Sequence, residues 1–163
     1  MPRDEKAEAA RRRLLNPWGF RLYLWTHLPL AACAGLRLVQ CDDESCTVAL
    51  PGGWRTQNPF RSTYFAAQAM AAEMSTGAPA MILVSGASAS VSLLVREVRG
   101  TFGKKVVGES RFTFSEIPRM SEAVARAAES GESETFVAHS IGRTAGGVVA
   151  AEFDVTWSFK RRE

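Results

Sequence analysis

The hydrophobic and polar positions change period along this chain, and the changes divide it into elements. Residues 3 to 15 have a helical spacing dominated by charge, and Asn16-Pro17-Trp18 opens a second helix carrying Leu22, Trp25 and Leu28 at helical intervals. Pro29 should end its regular part. Leu36 to Cys41 and Cys46 to Leu50 read as two strands joined by the polar turn Asp42-Asp43-Glu44-Ser45, and Pro51-Gly52-Gly53 closes the hairpin. The most regular helical stretch follows, from Phe60 to Ser75, with Asn58 as its cap, Pro59 in its first turn and Gly77 as a left-handed stop. Small and apolar residues occupy nearly its whole circumference, so this helix should be enclosed on most sides.

Beyond Gly77 the pattern turns to strands. Met81 to Val84 reads as a short apolar strand that continues past a bend at Gly86 into Ser88 to Val95. Lys105 to Phe114 and Thr135 to Arg143 read as two longer strands. Between them Pro118 to Ser130 has the period of an amphipathic helix, with Val124, Ala127 and Ala128 inward and Gly131 at its end. Val148 to Phe159 alternates strictly, one face apolar and the other largely polar. An apolar central helix is too large a burden for an accessory to a β-sandwich, and helices do not alternate with strands as a doubly wound fold requires. The pattern therefore calls for an α+β domain with a curled antiparallel β-sheet wrapped around one central helix.

Composition narrows the function classes. The chain has 163 residues, of which 46% are hydrophobic and 23% charged, with a net charge of +3. That is enough for one core without metals or disulfides, and it is far from the signature of disorder. Basic residues gather between Arg3 and Arg13, mixed with Asp4, Glu5 and Glu8, and again at Lys160 to Arg162. This describes a solvated helix face and a tail better than a nucleic-acid surface, and nucleic acid is not expected as a partner. The expected division is a charged extension over 1–13, a single domain over 14–160 and a tail over 161–163. The most apolar stretch, Leu14 to Leu38, is interrupted by Pro17, Arg21, His27 and Pro29, so no membrane span is expected, and the acidic N-terminus argues for the cytoplasm. Cys33, Cys41 and Cys46 form no metal-binding spacing and are expected as free thiols, although Cys41 and Cys46 can face each other across the hairpin. His27 and His139 stand far apart, so neither a metal nor another cofactor is expected.

In the order of its elements, in Asn16-Pro17-Trp18, in the segment from Trp54 through Asn58 and the alanine-rich run to Glu73, and in Gly146-Gly147-Val148-Val149-Ala150, the chain resembles the DUF4442 family of hotdog-fold proteins, relatives of the PaaI-like acyl-CoA thioesterases. The resemblance implies a hotdog fold and hydrolysis of an acyl-CoA or acyl-carrier thioester; several long strands, which would otherwise leave a sticky edge, point to a homodimer, with a tetramer of two such dimers left open. One departure stands out. PaaI-like enzymes commonly open the central helix with His-Gly-Gly and place an acid about nine residues later, whereas this chain has Phe60-Arg61-Ser62 and then Ala69-Met70-Ala71. That departure leaves room for a noncatalytic hotdog protein that binds an acyl or other apolar ligand.

The candidate catalytic residues are Asn58, Ser62 and Glu73, and the candidate substrate contacts are Phe60, Arg61, Thr63 and Gln68. Thioester hydrolysis needs donors for a developing oxyanion and a group that activates water. The first-turn N–H groups of Phe60, Arg61 and Ser62 are the expected donors, because a helix start has no intrahelical acceptors for them. Glu73 is the one carboxylate of the helix and shares a face with Ser62, Ala66 and Ala69; it can act as a base, pair with an arginine, or face solvent. Asn58 can cap the helix and orient a water. Arg61 can meet the phosphate-bearing end of a CoA ligand or form a surface ion pair. Gln68, if buried, needs a partner, which a second chain could supply. His139 lies in a strand, where a structurally satisfied histidine is the simpler reading. If the helix starts at Asn58, its rise separates Ser62 from Glu73 by about 16 Å, so an acid acting on the helix end of the opposite chain is one way to bring both to one carbonyl.

Overall fold

The computed structural model describes residues 3–162, so the first two residues of the charged extension and the last of the tail lie outside the described residues. Three helices lead: α1 (Arg3–Leu15), α2 (Pro17–His27) and α3 (Pro29–Ala34). Asn16 starts α2 by accepting the N–H groups of Trp18 and Gly19, each at 3.1 Å. The hairpin β1 (Arg37–Cys41) and β2 (Cys46–Leu50) comes next, followed by the long α4 (Phe65–Gly86). The chain finishes as β3 (Val91–Phe102), β4 (Ser110–Phe114), α5 (Ile117–Ser130), β5 (Glu134–Thr144) and β6 (Val149–Arg161).

The strands make one sheet in the order β1-β2-β4-β5-β6-β3, and every pairing is antiparallel. The helix α4 touches all six strands, which is the hotdog arrangement. Alternation sets the inner face: Ala138, Ser140 and Gly142 of β5 and Ala151, Phe153, Val155, Trp157 and Phe159 of β6 are buried, as the strict alternation of the last strand requires. A Cβ on Gly142 would lie 2.4 Å from the Phe112 ring, so the aromatic side chain needs the glycine beside it. The α5 helix covers one end of the sheet with Met120, Ala123, Val124, Ala127 and Ala128, and Gly131 terminates it at a φ of 77°. Its opening segment of charge is not left in water alone: α1 lies against α4 and β1, with Ala7, Ala10 and Leu14 packed on the core.

Three expectations about local structure change. The central helix begins at Phe65, five residues after Phe60, and it neither stops at Gly77 nor gives way to a strand at Met81; it runs through Pro79 to Gly86. Burial explains this override. Met74 to Ala80 is continuously buried inside the sheet, and tertiary packing outweighs the low helix propensity of one glycine and one proline. Gly77 is retained for closeness, because a Cβ there would come within 3.0 Å of Glu73 Oε1 and 3.2 Å of the Trp157 indole. The expected strand from Lys105 to Phe114 keeps only its last five residues as β4, and Gly103 to Glu109 forms the connection from β3. Pro29, expected only to end α2, also opens α3.

Two polar pairs fasten α4 to the sheet. Ser75 Oγ and Ser140 Oγ are 2.8 Å apart, and the Trp157 indole N–H donates to Thr76 Oγ1 at 2.9 Å. Both pairs are buried, so they satisfy hydroxyls that would otherwise be costly in this core. At the other end of the hairpin, Cys41 and Cys46 stand opposite each other as free, buried thiols, while Cys33 is exposed. The hydrogen bond from Cys41 and burial push the Cys46 thiol up.

Candidate active site at the start of the central helix

The segment from Asn58 to Ser62 is a closed turn, not the first turn of the helix. Asn58 Oδ1 accepts the N–H of Phe60 at 3.0 Å, the N–H of Ser62 at 3.2 Å and the Ser62 hydroxyl at 3.1 Å. The Asn58 carbonyl takes the Arg61 N–H at 3.0 Å, and its own N–H donates to the Ser62 carbonyl at 2.8 Å. Arg61 closes the turn in the left-handed region, at a φ of 56°. The N–H groups of Phe60, Arg61 and Ser62, expected as oxyanion donors, are therefore all consumed by Asn58. Phe60, 76% exposed, and the exposed Arg61 project from the tip.

The turn is bound to the rest of the molecule at its base. Gln57 and Thr63 form an isolated antiparallel bridge, the Thr63 N–H donates to the Val106 carbonyl at 2.8 Å, and the Tyr64 N–H donates to the Thr56 carbonyl at 2.7 Å. Gln68 is buried and ties the helix to the turn, its Nε2 donating to the Thr63 carbonyl at 3.2 Å, while its Oε1 has no partner among the described residues.

The free donors lie further on. Tyr64 stands at the N-cap of α4 without making a side-chain cap, and the carbonyl of Tyr64 accepts Ala67 and Gln68. The N–H groups of Phe65 and Ala66 have no acceptor among the described residues, and Tyr64 and Phe65 are partly exposed. Such unsatisfied N–H groups are what an uncapped helix start leaves, and donors of this kind can serve an oxyanion. The spacing of Asn58 and Pro59 concealed it, because a cap followed by proline marks a helix start five residues too early.

Glu73 sits two turns along the same helix. Ala66, Ala69, Met70 and Glu73 are half-buried while the rest of the helix from Ala67 to Ala80 is buried, so they form one half-open stripe. Glu73 makes no ion pair and no side-chain hydrogen bond among the described residues. Burial pushes its carboxyl above the ordinary carboxylate value. A carboxylate desolvated without a compensating charge holds a proton more tightly than a solvated one. From Ala66 to Glu73 the helix rises about 10 Å, which separates donors and acid along one chain.

His139 belongs elsewhere. It stands in β5 with the odd-numbered residues that point away from α4, Nδ1 at 2.8 Å from Asp154 Oδ1 and Nε2 at 3.1 Å from Glu152 Oε2. The hydrogen bond to Asp154 leads in raising its pKa, with Glu152 adding to it. No group of three or more metal-ligating side chains occurs among the described residues.

No protein-family profile matches the chain, and no curated protein matches it. Solved structures do. A Pseudomonas aeruginosa protein described as a probable thioesterase superposes with a TM-score of 0.70 at 18% identity, covering 90% of this chain and 97% of its own. A thioesterase-like protein of Shewanella oneidensis gives a TM-score of 0.72 at 10% identity, covering 89% and 96%. A Staphylococcus aureus thioesterase, crystallised as a glutamine-to-alanine variant, gives 0.62 at 13% identity, covering 81% and 98%. These likenesses establish the thioesterase-type hotdog fold. Among the described residues no helix is long and apolar enough to cross a membrane.

Proposed function

We propose that this protein is an acyl-thioester hydrolase acting as a cytoplasmic homodimer, with acyl-CoA or an acyl-carrier thioester as substrate. The observation that carries the reading is the half-open stripe of α4, where an uncapped helix start and an unpaired, desolvated Glu73 lie in one otherwise apolar helix. The finer placement within the DUF4442 family is part of this proposal and rests on the Asn16-Pro17-Trp18 and Trp54-to-Glu73 segments. The S. aureus thioesterase has been studied as alanine variants of a glutamine and of a glutamate fifteen residues beyond it. Asn58 and Glu73 have the same spacing and closely similar chemistry.

In this reading Glu73 takes a proton from water, the water attacks the thioester carbonyl, and the N–H groups of Phe65 and Ala66 hold the oxyanion. Collapse of the tetrahedral intermediate breaks the C–S bond, the departing thiolate takes the proton back from Glu73, and the thiol and the carboxylic acid leave. Asn58 and Ser62 act by holding the turn that leaves this helix start open; Thr63 and Gln68 brace it, and Phe60 and Arg61 meet the substrate from the tip. The 10 Å rise is resolved by a second chain whose helix start lies against Glu73. The β3 strand supports that assembly: it is a long edge strand with Leu94 65% exposed and Val98 and Phe102 also open. The missing His-Gly-Gly favours the competing reading, a noncatalytic protein that binds an acyl or other apolar ligand. A panel of short, medium and long acyl-CoA substrates read by thiol release tests the two. Turnover that falls about 100-fold in kcat/KM for Glu73→Gln, or about 2.7 kcal/mol of transition-state stabilisation, is expected. Binding of acyl-CoA without turnover across the panel would instead establish the noncatalytic reading.

A further inference from the structure

A second cleft lies at the end of the sheet remote from β3. The α2 and α3 helices, β1 and the residues following β2 enclose about 600 Å³, and no residue of α4 lines it. Its floor is apolar and buried, built from Leu14, Phe20, Leu24 and Leu36, and Trp25 adds a wall. A volume of this order accommodates a small-molecule ligand.

Its polar lining is of one sign. Arg21 comes from α2, Arg37 from β1 and Arg55 from the segment after β2, three stretches distant in sequence, and no acidic side chain lines the cleft. Arg37 is paired with Glu109. Arg21 and Arg55 make no ion pair and donate no side-chain hydrogen bond among the described residues. An apolar floor favours a ligand with an apolar body, and two guanidiniums without an ion-pair partner favour an anionic group, best one that accepts from a planar fork. We propose that this cleft is a second ligand site, which takes an amphiphile with an aliphatic body and a carboxylate end, the body on Phe20, Leu24, Trp25 and Leu36 and the carboxylate on Arg21 and Arg55. The site is independent of the hydrolase reading, since it shares no residue with the α4 stripe.

The probe is monomeric dodecanoate, compared with uncharged dodecanol, in calorimetry and tryptophan fluorescence on the full chain. Saturable binding of dodecanoate in both the wild type and Glu73→Gln is expected, with a fluorescence change that Trp25→Phe abolishes. The double variant Arg21→Ala with Arg55→Ala alters only exposed side chains and should fold; it should weaken dodecanoate about tenfold and move dodecanol by less than about twofold. Dodecanol binding as tightly as dodecanoate, or an unaffected double variant, overturns the assignment. So does association with phosphatidylglycerol vesicles alone, which would make this face a membrane contact. Because dodecanoate is not a thioester, failure here and failure of the hydrolase reading are separate results.

Discussion

The two halves of α4 are similarly apolar but fastened in opposite ways. From Met74 to Ala80 the helix is continuously buried, and both hydroxyls in that stretch are spent on the sheet, Ser75 with Ser140 and Thr76 with the Trp157 indole. From Phe65 to Glu73 one stripe stays half-open, the helix start is uncapped, and the single carboxylate has no partner. A fold selected for stability alone has no use for an unpaired, partly desolvated acid in a helix of alanines. The contrast teaches that the second half holds the helix in place, while the first half keeps unsatisfied groups that stability would discard.

Breaking the fastened half should produce the largest change in stability. Trp157→Ala removes both the indole over Gly77 and the hydrogen bond to Thr76, so it should cost about 3–5 kcal/mol in urea unfolding. A loss well under that range would mean that the second half of α4 is not the anchor. The open half should behave in the opposite sense. Glu73 has a raised pKa in the folded chain, so between the ordinary carboxylate value and the raised one the folded state binds more protons, and stability falls as pH rises. Glu73→Gln should therefore be at least as stable as the wild type near neutrality, with its advantage shrinking as the pH is lowered through the acidic range. Unfolding curves across that range check the sign, and a Glu73→Gln variant less stable at neutral pH would show that the carboxylate is structural.

The smallest effect belongs to the outer face of the sheet. The pKa of His139 is raised by Asp154 and Glu152, so its contribution to stability is fully present below the ordinary imidazole value of 6.5 and is lost as pH rises through the raised value. His139→Gln should be less stable than the wild type in mildly acidic buffer by less than about 1 kcal/mol, a surface-pair magnitude, and indistinguishable from it in alkaline buffer. Equal stabilities throughout would mean that the two carboxylates do not act on the ring.

Much of the architecture was legible because it is written in periods. The alternation from Val148 to Phe159, the amphipathic helix ending at Gly131 and the hairpin around Asp42 to Ser45 all appear as expected. The errors cluster in α4. Gly77 and Pro79 read as breakers because local propensity contains no information about the sheet that encloses them, and Met81 to Val84 is too short to distinguish a strand from a buried helix. The same shift displaced the candidate site. Asn58 was visible as a residue that satisfies N–H groups, but it satisfies those of a separate turn, and the free donors at Phe65 and Ala66 carry no side-chain signal at all. Glu73 was legible as the lone carboxylate of an apolar helix; that it lacks an ion-pair partner depends on where distant arginines lie.

The central claim is that Glu73 of one chain completes the helix start of another. Its most direct measurement is subunit complementation: Glu73→Gln and Asn58→Ala chains are purified separately, mixed in equal amounts under conditions that exchange subunits, and assayed for thiol release from the best acyl-CoA of the panel. Each variant alone should be nearly inactive. Random pairing makes half the dimers mixed, each with one of its two composite sites intact, so the mixture should regain about a quarter of wild-type turnover. No recovery in demonstrably mixed dimers, or full activity in the Glu73→Gln homodimer, would contradict the account.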